Sequence, residues 1–173
     1  YEDYIKSSFS NEELFNIFKS NRILLIFLFE KKIITLNETI SALLEKQDNY
    51  KSTRNNLNDY KYYFYSEIKS FCDNDYFESY VKKELLNHDE NIFEKFEINR
   101  KKGENDSYIC QLIRQDSIKE FIIYMNKTNT PFSSKIPDSF FETNSFLIGK
   151  TPSLIEYAAF FGSFQILQHL IFR

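Results

Sequence analysis

At 173 residues, with 42% apolar, 18% aromatic and 27% charged side chains, the chain can bury an ordinary globular core and is too apolar for a disordered segment. A formal net charge of −3 supplies no general attraction to phosphate backbones or anionic lipid, so neither nucleic acid nor a membrane is the expected partner. The longest apolar run, residues 23–29, is far short of the about 20 residues that a spanning helix needs. Cys72 and Cys110 are widely spaced and suit reduced thiols. The first 20 residues are acidic and polar, so no secretory leader is expected and a cytoplasmic location is. The chain starts at Tyr1 rather than Met and reads as a piece of a longer polypeptide.

All three glycines and all three prolines lie beyond residue 102, so helices are expected throughout the first hundred residues. Ser10 with Glu13 forms a capping box, and Phe9 with Leu14 the matching staple, predicting a helix over about 11–19 with Leu14, Phe15 and Phe18 on its apolar stripe. Asn21 caps a second helix through Glu30. Thr35 with Glu38 opens a third that buries Ile40, Leu43 and Leu44. Residues 47–59 are polar and read as a loop. Tyr60, Phe64, Ile68 and Phe71 form one helical face; Asp75 with Glu78 opens a helix carrying Phe77, Val81 and Leu85; Asn91 with Glu94 opens another through Ile92, Phe93 and Phe96. That helix ends in Arg100-Lys101-Lys102-Gly103, read as cations at a negative helix end before a left-handed glycine rather than as a phosphate patch.

Beyond Gly103 the pattern changes to tight helix pairs. Asp106 is expected to cap a short helix bearing Ile109, Leu112 and Ile113, and Asp116 to cap its return helix with Ile118, Phe121, Ile122 and Met125. Residues 126–151 hold the turn-forming residues and are expected to be irregular, yet Phe140, Phe141, Phe146, Leu147 and Ile148 within them require cover. A second pair follows. Ser153 and Glu156 form a capping box, Gly162 ends the helix, and Ile166, Leu167, Leu170 and Ile171 mark the return helix. Ala158 and Ala159 make the first helix thin, which allows a neighbouring helix to come close.

Ala158-Ala159, Gly162, Ile166-Leu167 and Leu170-Ile171 resemble the second half of an ankyrin repeat, with the family's two alanines, turn glycine and second-helix apolar positions. The opening Thr-Pro-Leu-His of that family is replaced by Ser153-Leu154-Ile155-Glu156, with Thr151-Pro152 two residues early, so the capping box takes over the usual histidine turn. Residues 107–126 resemble a degenerate earlier repeat with Asp116 where the glycine stands, and the clearer repeat spans 153–173. Asp116 and Gly162 lie 46 positions apart, against a usual period of about 33; the connection, 127–152, therefore carries an insertion. A wider resemblance rests on "YFYSEIKSF", "RKKGENDSYICQLIRQDSIKEFIIYMNKTN", "SSKI", "SFFETNSFLI" and "LIEYAAFFGSFQI". These are similar to the domain of unknown function that precedes the ankyrin repeats in a large family of trichomonad protist proteins. The resemblance implies an N-terminal helical domain leading into a repeat array, and transfers no catalytic residue.

The expected architecture is all-α: an N-terminal helical domain, 1–103, continuous with ankyrin-like helix pairs, 104–173, in a helical hairpin array, or α-solenoid, with one long irregular insertion. More ankyrin repeats of the same chain are expected C-terminal to Arg173, because the last helix offers Leu167, Leu170, Ile171 and Phe172 for stacking. Chemistry has little to work with. His88-Asp89, with Glu84 one turn earlier, is a weak metal motif and reads better as a helix end; His169 is expected at the surface. No glycine-rich phosphate loop is present. No catalytic, cofactor or metal residues are therefore assigned. Two function classes remain: a non-enzymatic protein–protein interaction scaffold whose partner is another protein, and a helical enzyme or regulatory domain using carboxylates such as Glu142 and Glu156. For a partner contact, Phe140, Phe141, Glu142 and Phe146 stand where the ankyrin finger loop would be, with two readings open: binding anchors, or cover for the core.

Overall fold

The computed structural model describes residues 2–46, 60–71, 75–88 and 90–172. Every regular element among them is helical, apart from one isolated antiparallel bridge between Lys135 and Ser153. The chain divides into two compact units, Tyr1–Gly103 and Glu104–Arg173.

The first unit holds α1 (Glu2–Ser8), α2 (Asn11–Phe18), α3 (Arg22–Glu30), α4 (Glu38–Lys46), α5 (Tyr60–Tyr63), α6 (Tyr65–Phe71), α7 (Asp75–His88), a 3-10 turn (Ile92–Glu94) and α8 (Phe96–Lys102). Local chemistry starts these helices much as expected. Ser10 and Glu13 form a reciprocal capping box on α2, and Asn21 Oδ1 accepts the Leu24 N–H at 3.0 Å to open α3. The start of α4 differs. Asn37, not Thr35, is its cap, with Oδ1 accepting the Ile40 N–H at 2.9 Å. Thr35 is diverted to Asn11, whose amide accepts from the Thr35 N–H and donates to its carbonyl and hydroxyl oxygens; a tie to α2 thereby replaces the box. The face predicted from Tyr60 to Phe71 is broken at Phe64 yet keeps its i to i−4 bonds through Phe64 and Ile68. It buries Tyr62, Tyr63, Phe64, Tyr65 and Ile68 and leaves Phe71 exposed. Asn91 makes no side-chain cap, and the helix predicted there begins as the 3-10 turn before α8. The loop expected over 47–59, Cys72, Asp89 and the side chains of Asp75, Phe77, Glu78 and His88 lie outside what the structure describes.

The basic end of α8 turns inward. Arg100 is 2% exposed and its guanidinium donates to Glu67, to Glu97 and to the Tyr63 carbonyl, while Lys101 pairs with Glu30. Burial disfavours the Arg100 cation, but Glu67 and Glu97 more than offset this and hold its pKa above the usual value. Arg100 is therefore committed to buried carboxylate pairing and Lys101 to an exposed one, and Gly103 closes α8 at φ +64° as its position predicts.

The second unit is built of α9 (Tyr108–Arg114), α10 (Ile118–Thr128), α11 (Leu154–Phe161) and α12 (Phe164–Ile171). α9 packs on α10 and α11 on α12, making two hairpins; first helix then meets first helix, α9 on α11, and second meets second, α10 on α12. One core joins them, from Ile109, Cys110, Leu112, Ile113, Phe121 and Met125 of the first hairpin to Leu154, Tyr157, Ala158, Ile166 and Leu170 of the second. The expected caps at Asp106 and Asp116 are displaced by one residue, to Ser107 and Ser117, neither of which caps through its side chain. Both aspartates have other partners, described below.

Candidate functional site

The two hairpin turns share one hydrogen-bond pattern. At the end of α9 the Asp116 N–H donates to the Ile113 carbonyl at 2.9 Å and the Ser117 N–H to Leu112 at 3.0 Å. At the end of α11, Gly162 donates to Ala159 at 3.2 Å and Ser163 to Ala158 at 2.9 Å. Each is a Schellman turn pivoting on a left-handed residue, Asp116 at φ +49° and Gly162 at φ +68°. Gly162 takes that conformation without a Cβ penalty. Asp116 tolerates it and uses its side chain elsewhere: its carboxylate accepts the N–H groups of Gln165 and Ile166, each at 3.0 Å. It therefore caps α12, the second helix of the other hairpin, rather than α10. In return the Ser163 hydroxyl donates to the Ile113 carbonyl. These bonds pin one turn onto the other.

The capping box expected at Ser153 and Glu156 is present, with the Ser153 N–H on Glu156 Oε2 at 2.7 Å and the Glu156 N–H on Ser153 Oγ at 3.3 Å; the Ser153 N–H and hydroxyl, both donating to the carboxylate, lower the Glu156 pKa. Ala158 is buried against the first hairpin, whereas Ala159 is exposed, so only one alanine of the pair serves that close approach. Ile166 and Leu170 are buried and Leu167 is partly so.

The insertion between the hairpins is ordered by its own polar network. It leaves α10 through left-handed Asn129 and is clipped at its base, where the Ile136 N–H donates to the Pro152 carbonyl at 2.7 Å and the Leu154 N–H to Ser134 at 3.2 Å. Phe140 and Phe141 are buried, edge to face at 5.0 Å between ring centres. Glu142 is buried as well, accepting the Asn105 N–H at 3.3 Å and the Asn144 N–H at 2.8 Å. Burial pushes its carboxyl above the usual range, against the pull of those two amides. Asn105 also donates to the Pro137 carbonyl, and Ser139 to Asp106, the aspartate expected at a cap. Arg114 then ties this end of α9 to α11, donating to the Asn105 carbonyl at 2.8 Å and to the Tyr157 hydroxyl at 2.7 Å.

The four candidate contact residues therefore divide. Phe140, Phe141 and Glu142 are buried, and the Phe141 N–H donates to the Ser139 hydroxyl at 3.2 Å. Phe146 alone stands out, 77% exposed, on a turn organised by Asn144, whose side chain accepts the Phe146 N–H and whose carbonyl accepts those of Leu147 and Ile148. His169 is partly buried rather than on the surface, edge to face with Phe132 at 5.8 Å and Phe121 at 6.5 Å.

Burial raises the Cys110 thiol pKa, which disfavours a thiolate. Among the described residues, no group of three or more His, Cys, Asp and Glu side chains is placed to hold a metal ion, and no helix is long and apolar enough to cross a membrane. A groove of about 420 Å³ runs along α10, lined by Tyr108, Glu120, Ile123, Tyr124, Lys127 and Thr128. The cross-hairpin role of Asp116 and the tie from Arg114 to Tyr157 are the parts that sequence reasoning missed; the signal for the first was Asp116-Ser117 standing 46 positions before Gly162-Ser163. Comparison with protein-family models, with curated proteins and with solved structures returns no match.

Proposed function

We propose that the chain is a non-enzymatic protein–protein interaction scaffold, the N-terminal part of a cytoplasmic ankyrin-repeat protein of the trichomonad type, with further repeats following Arg173. The observation that carries this reading is the repetition in the second unit: two hairpins with the same Schellman turn, packed first helix on first and second on second, with Asp116 and Ser163 bonding one turn to the other. Stacked hairpins of this kind form an elongated surface suited to binding another macromolecule. The enzyme reading has weaker support, because Glu142 and Glu156 are both occupied by backbone N–H groups.

The contact point favoured within the insertion is Phe146, an exposed ring on an ordered turn, where an aromatic anchor loses little conformational freedom on binding. The test is to crosslink the full-length protein in its native lysate, identify the captured protein, and measure its affinity for the purified scaffold by calorimetry. Phe146→Ala is expected to weaken that affinity at least tenfold with an unchanged melting temperature. An affinity equal to wild type overturns Phe146 as the anchor, and turnover of a small molecule by the purified chain overturns the scaffold reading.

A further inference from the structure

The exposed stripe of α10 carries a symmetry of its own. Glu120, Ile123, Tyr124 and Lys127 recur at i, i+3, i+4 and i+7 and so lie in one line along the helix. They form most of the groove of about 420 Å³, which Tyr108 and Thr128 complete. Ile123 is 65% and Tyr108 52% exposed, Glu120 and Lys127 are exposed, and the Tyr124 ring meets that of Tyr108 edge to face at 5.4 Å. Apolar surface is thus open to solvent at the centre of the stripe, with an acid at one end and a base at the other. Among the described residues, neither Glu120 nor Lys127 forms an ion pair within the chain. Read from either end, the stripe has the same order of charged and apolar positions, with the sign of the charge reversed.

We infer that this stripe is the contact through which two copies of the chain pair about a two-fold axis, α10 against α10 and antiparallel. An axis passing between Ile123 and Tyr124 sets each of these residues opposite the other in the second copy. Glu120 and Lys127 then stand about 5 Å along the helix on either side of that axis, so the carboxylate of each copy faces the ammonium of the other. Every contact is made twice, as an isologous interface requires. Charge complementarity selects this occupant and this direction, because parallel helices in register would set like charges face to face. A further hairpin of the stack is a poorer fit. The offset of 46 positions that superposes the two turns puts Glu120 where Ile166 stands and Tyr124 where Leu170 stands, two residues that the second hairpin buries in the shared core. A carboxylate at such a position is costly to bury without a cation opposite it. The contact is one helix from each copy, which places it among small, transient interfaces of less than about 1,200 Å². Its flanking ion pairs are exposed, so salt weakens it. The inference stands apart from the repeat reading and adds a second copy of the chain as a partner.

The test is sedimentation equilibrium of the intact chain from about 10 μM to about 1 mM, the range that weak complexes occupy. The expected result is a reversible monomer–dimer equilibrium that shifts toward monomer as salt is raised from about 0.05 to about 0.5 M. Ile123→Asp, at an exposed position, leaves the melting temperature within about 2 °C of wild type and raises the dissociation constant about tenfold or more. Glu120→Lys and Lys127→Glu each weaken self-association, because each turns both ion pairs into like-charge pairs. Mixed in equal amounts, the two charge variants dimerise with each other, since each supplies the charge that the other lacks. A chain that stays monomeric throughout, a dimer that withstands Ile123→Asp, or charge variants that do not recombine on mixing overturns the inference. A dimer that Phe164→Gln breaks assigns the pairing to the exposed face of α12 and also overturns it. So does a monomeric chain that crosslinks a different protein through Ile123, which gives the stripe to that partner. The measurement uses the purified chain alone, so its outcome and that of the Phe146 experiment are independent.

Discussion

Ala158 and Ala159 are neighbours in sequence and opposite in environment, because successive residues on a helix are turned by about 100°. Ala158 is fully buried against the first hairpin, and Ala159 is exposed on the outer face. Ala158→Leu therefore overpacks a closed interface and is expected to lower stability by about 1–3 kcal/mol in urea titration, whereas Ala159→Leu is expected to stay within about 0.5 kcal/mol of wild type. Equal effects at the two positions contradict the packing. Glu142 leads to a pH prediction. Its folded pKa is raised, so its favourable contribution is complete below the unfolded value of about 4.3 and is lost as pH rises through the folded value. Glu142→Gln cannot ionise. The melting temperature of wild type minus that of this variant is thus expected to be largest near pH 4 and to fall toward neutrality; a flat difference refutes it. Glu156 has the opposite sign: its lowered pKa makes its contribution present above the unfolded value and lost as acid is added.

The helices illustrate how a local signal is redirected by its neighbours. Asp116 has the sequence position of an N-cap for α10, and its carboxylate instead closes the start of α12. Asp116→Ala is expected to cost about 1–2 kcal/mol, from the lost cap together with a left-handed Cβ that no longer has a compensating bond. Asp116→Gly loses the same cap but relieves the left-handed strain, so it is expected to be the milder change. In both variants the amides of Gln165 and Ile166 exchange faster with solvent while those of α10 are unaffected. Faster exchange in α10 would mean that Asp116 acts on its own helix after all. Thr35 is a parallel case, drawn from a capping role to a bond with Asn11, after which Asn37 takes over the start of α4.

Each compact unit has its own interior. Every member of the second core lies between Ile109 and Leu170, inside the unit that spans Glu104–Arg173. Residues 104–173 expressed alone are accordingly expected to melt cooperatively with a helical circular-dichroism spectrum; a broad, non-cooperative melt would show that this core depends on the first unit. That core is small for independent stability. The insertion is consequently a structural asset: Ile136 and Leu147 enter the core, and Glu142, Asn105 and Arg114 supply polar ties around it. In the first unit, the buried Arg100 with its two glutamates plays a similar part, and removing one partner of such a group is far costlier than any surface pair is worth.

Helix positions were legible in the sequence because capping boxes, apolar spacing and left-handed glycines act over a few residues: α2, α3, α11 and the Gly103 and Gly162 turns all follow from chemistry within one helical turn. Part of the buried apolar set, including Leu14, Phe15, Ile40, Leu44, Phe64, Ile68, Ile113, Phe121, Met125 and Ile166, could likewise be named from periodicity, whereas Ile34, Tyr62, Tyr63, Tyr65 and Ile136 could not. Three-dimensional packing settled what depends on partners remote in the chain. It sent the carboxylate of Asp116 across nearly 50 residues, buried Arg100 out of a run that read as cations at a helix end, and separated Phe146 from Phe140 and Phe141. A side chain's type and spacing state what bond it can make; which donor comes within reach, and which face is left without cover, is set only when distant segments meet.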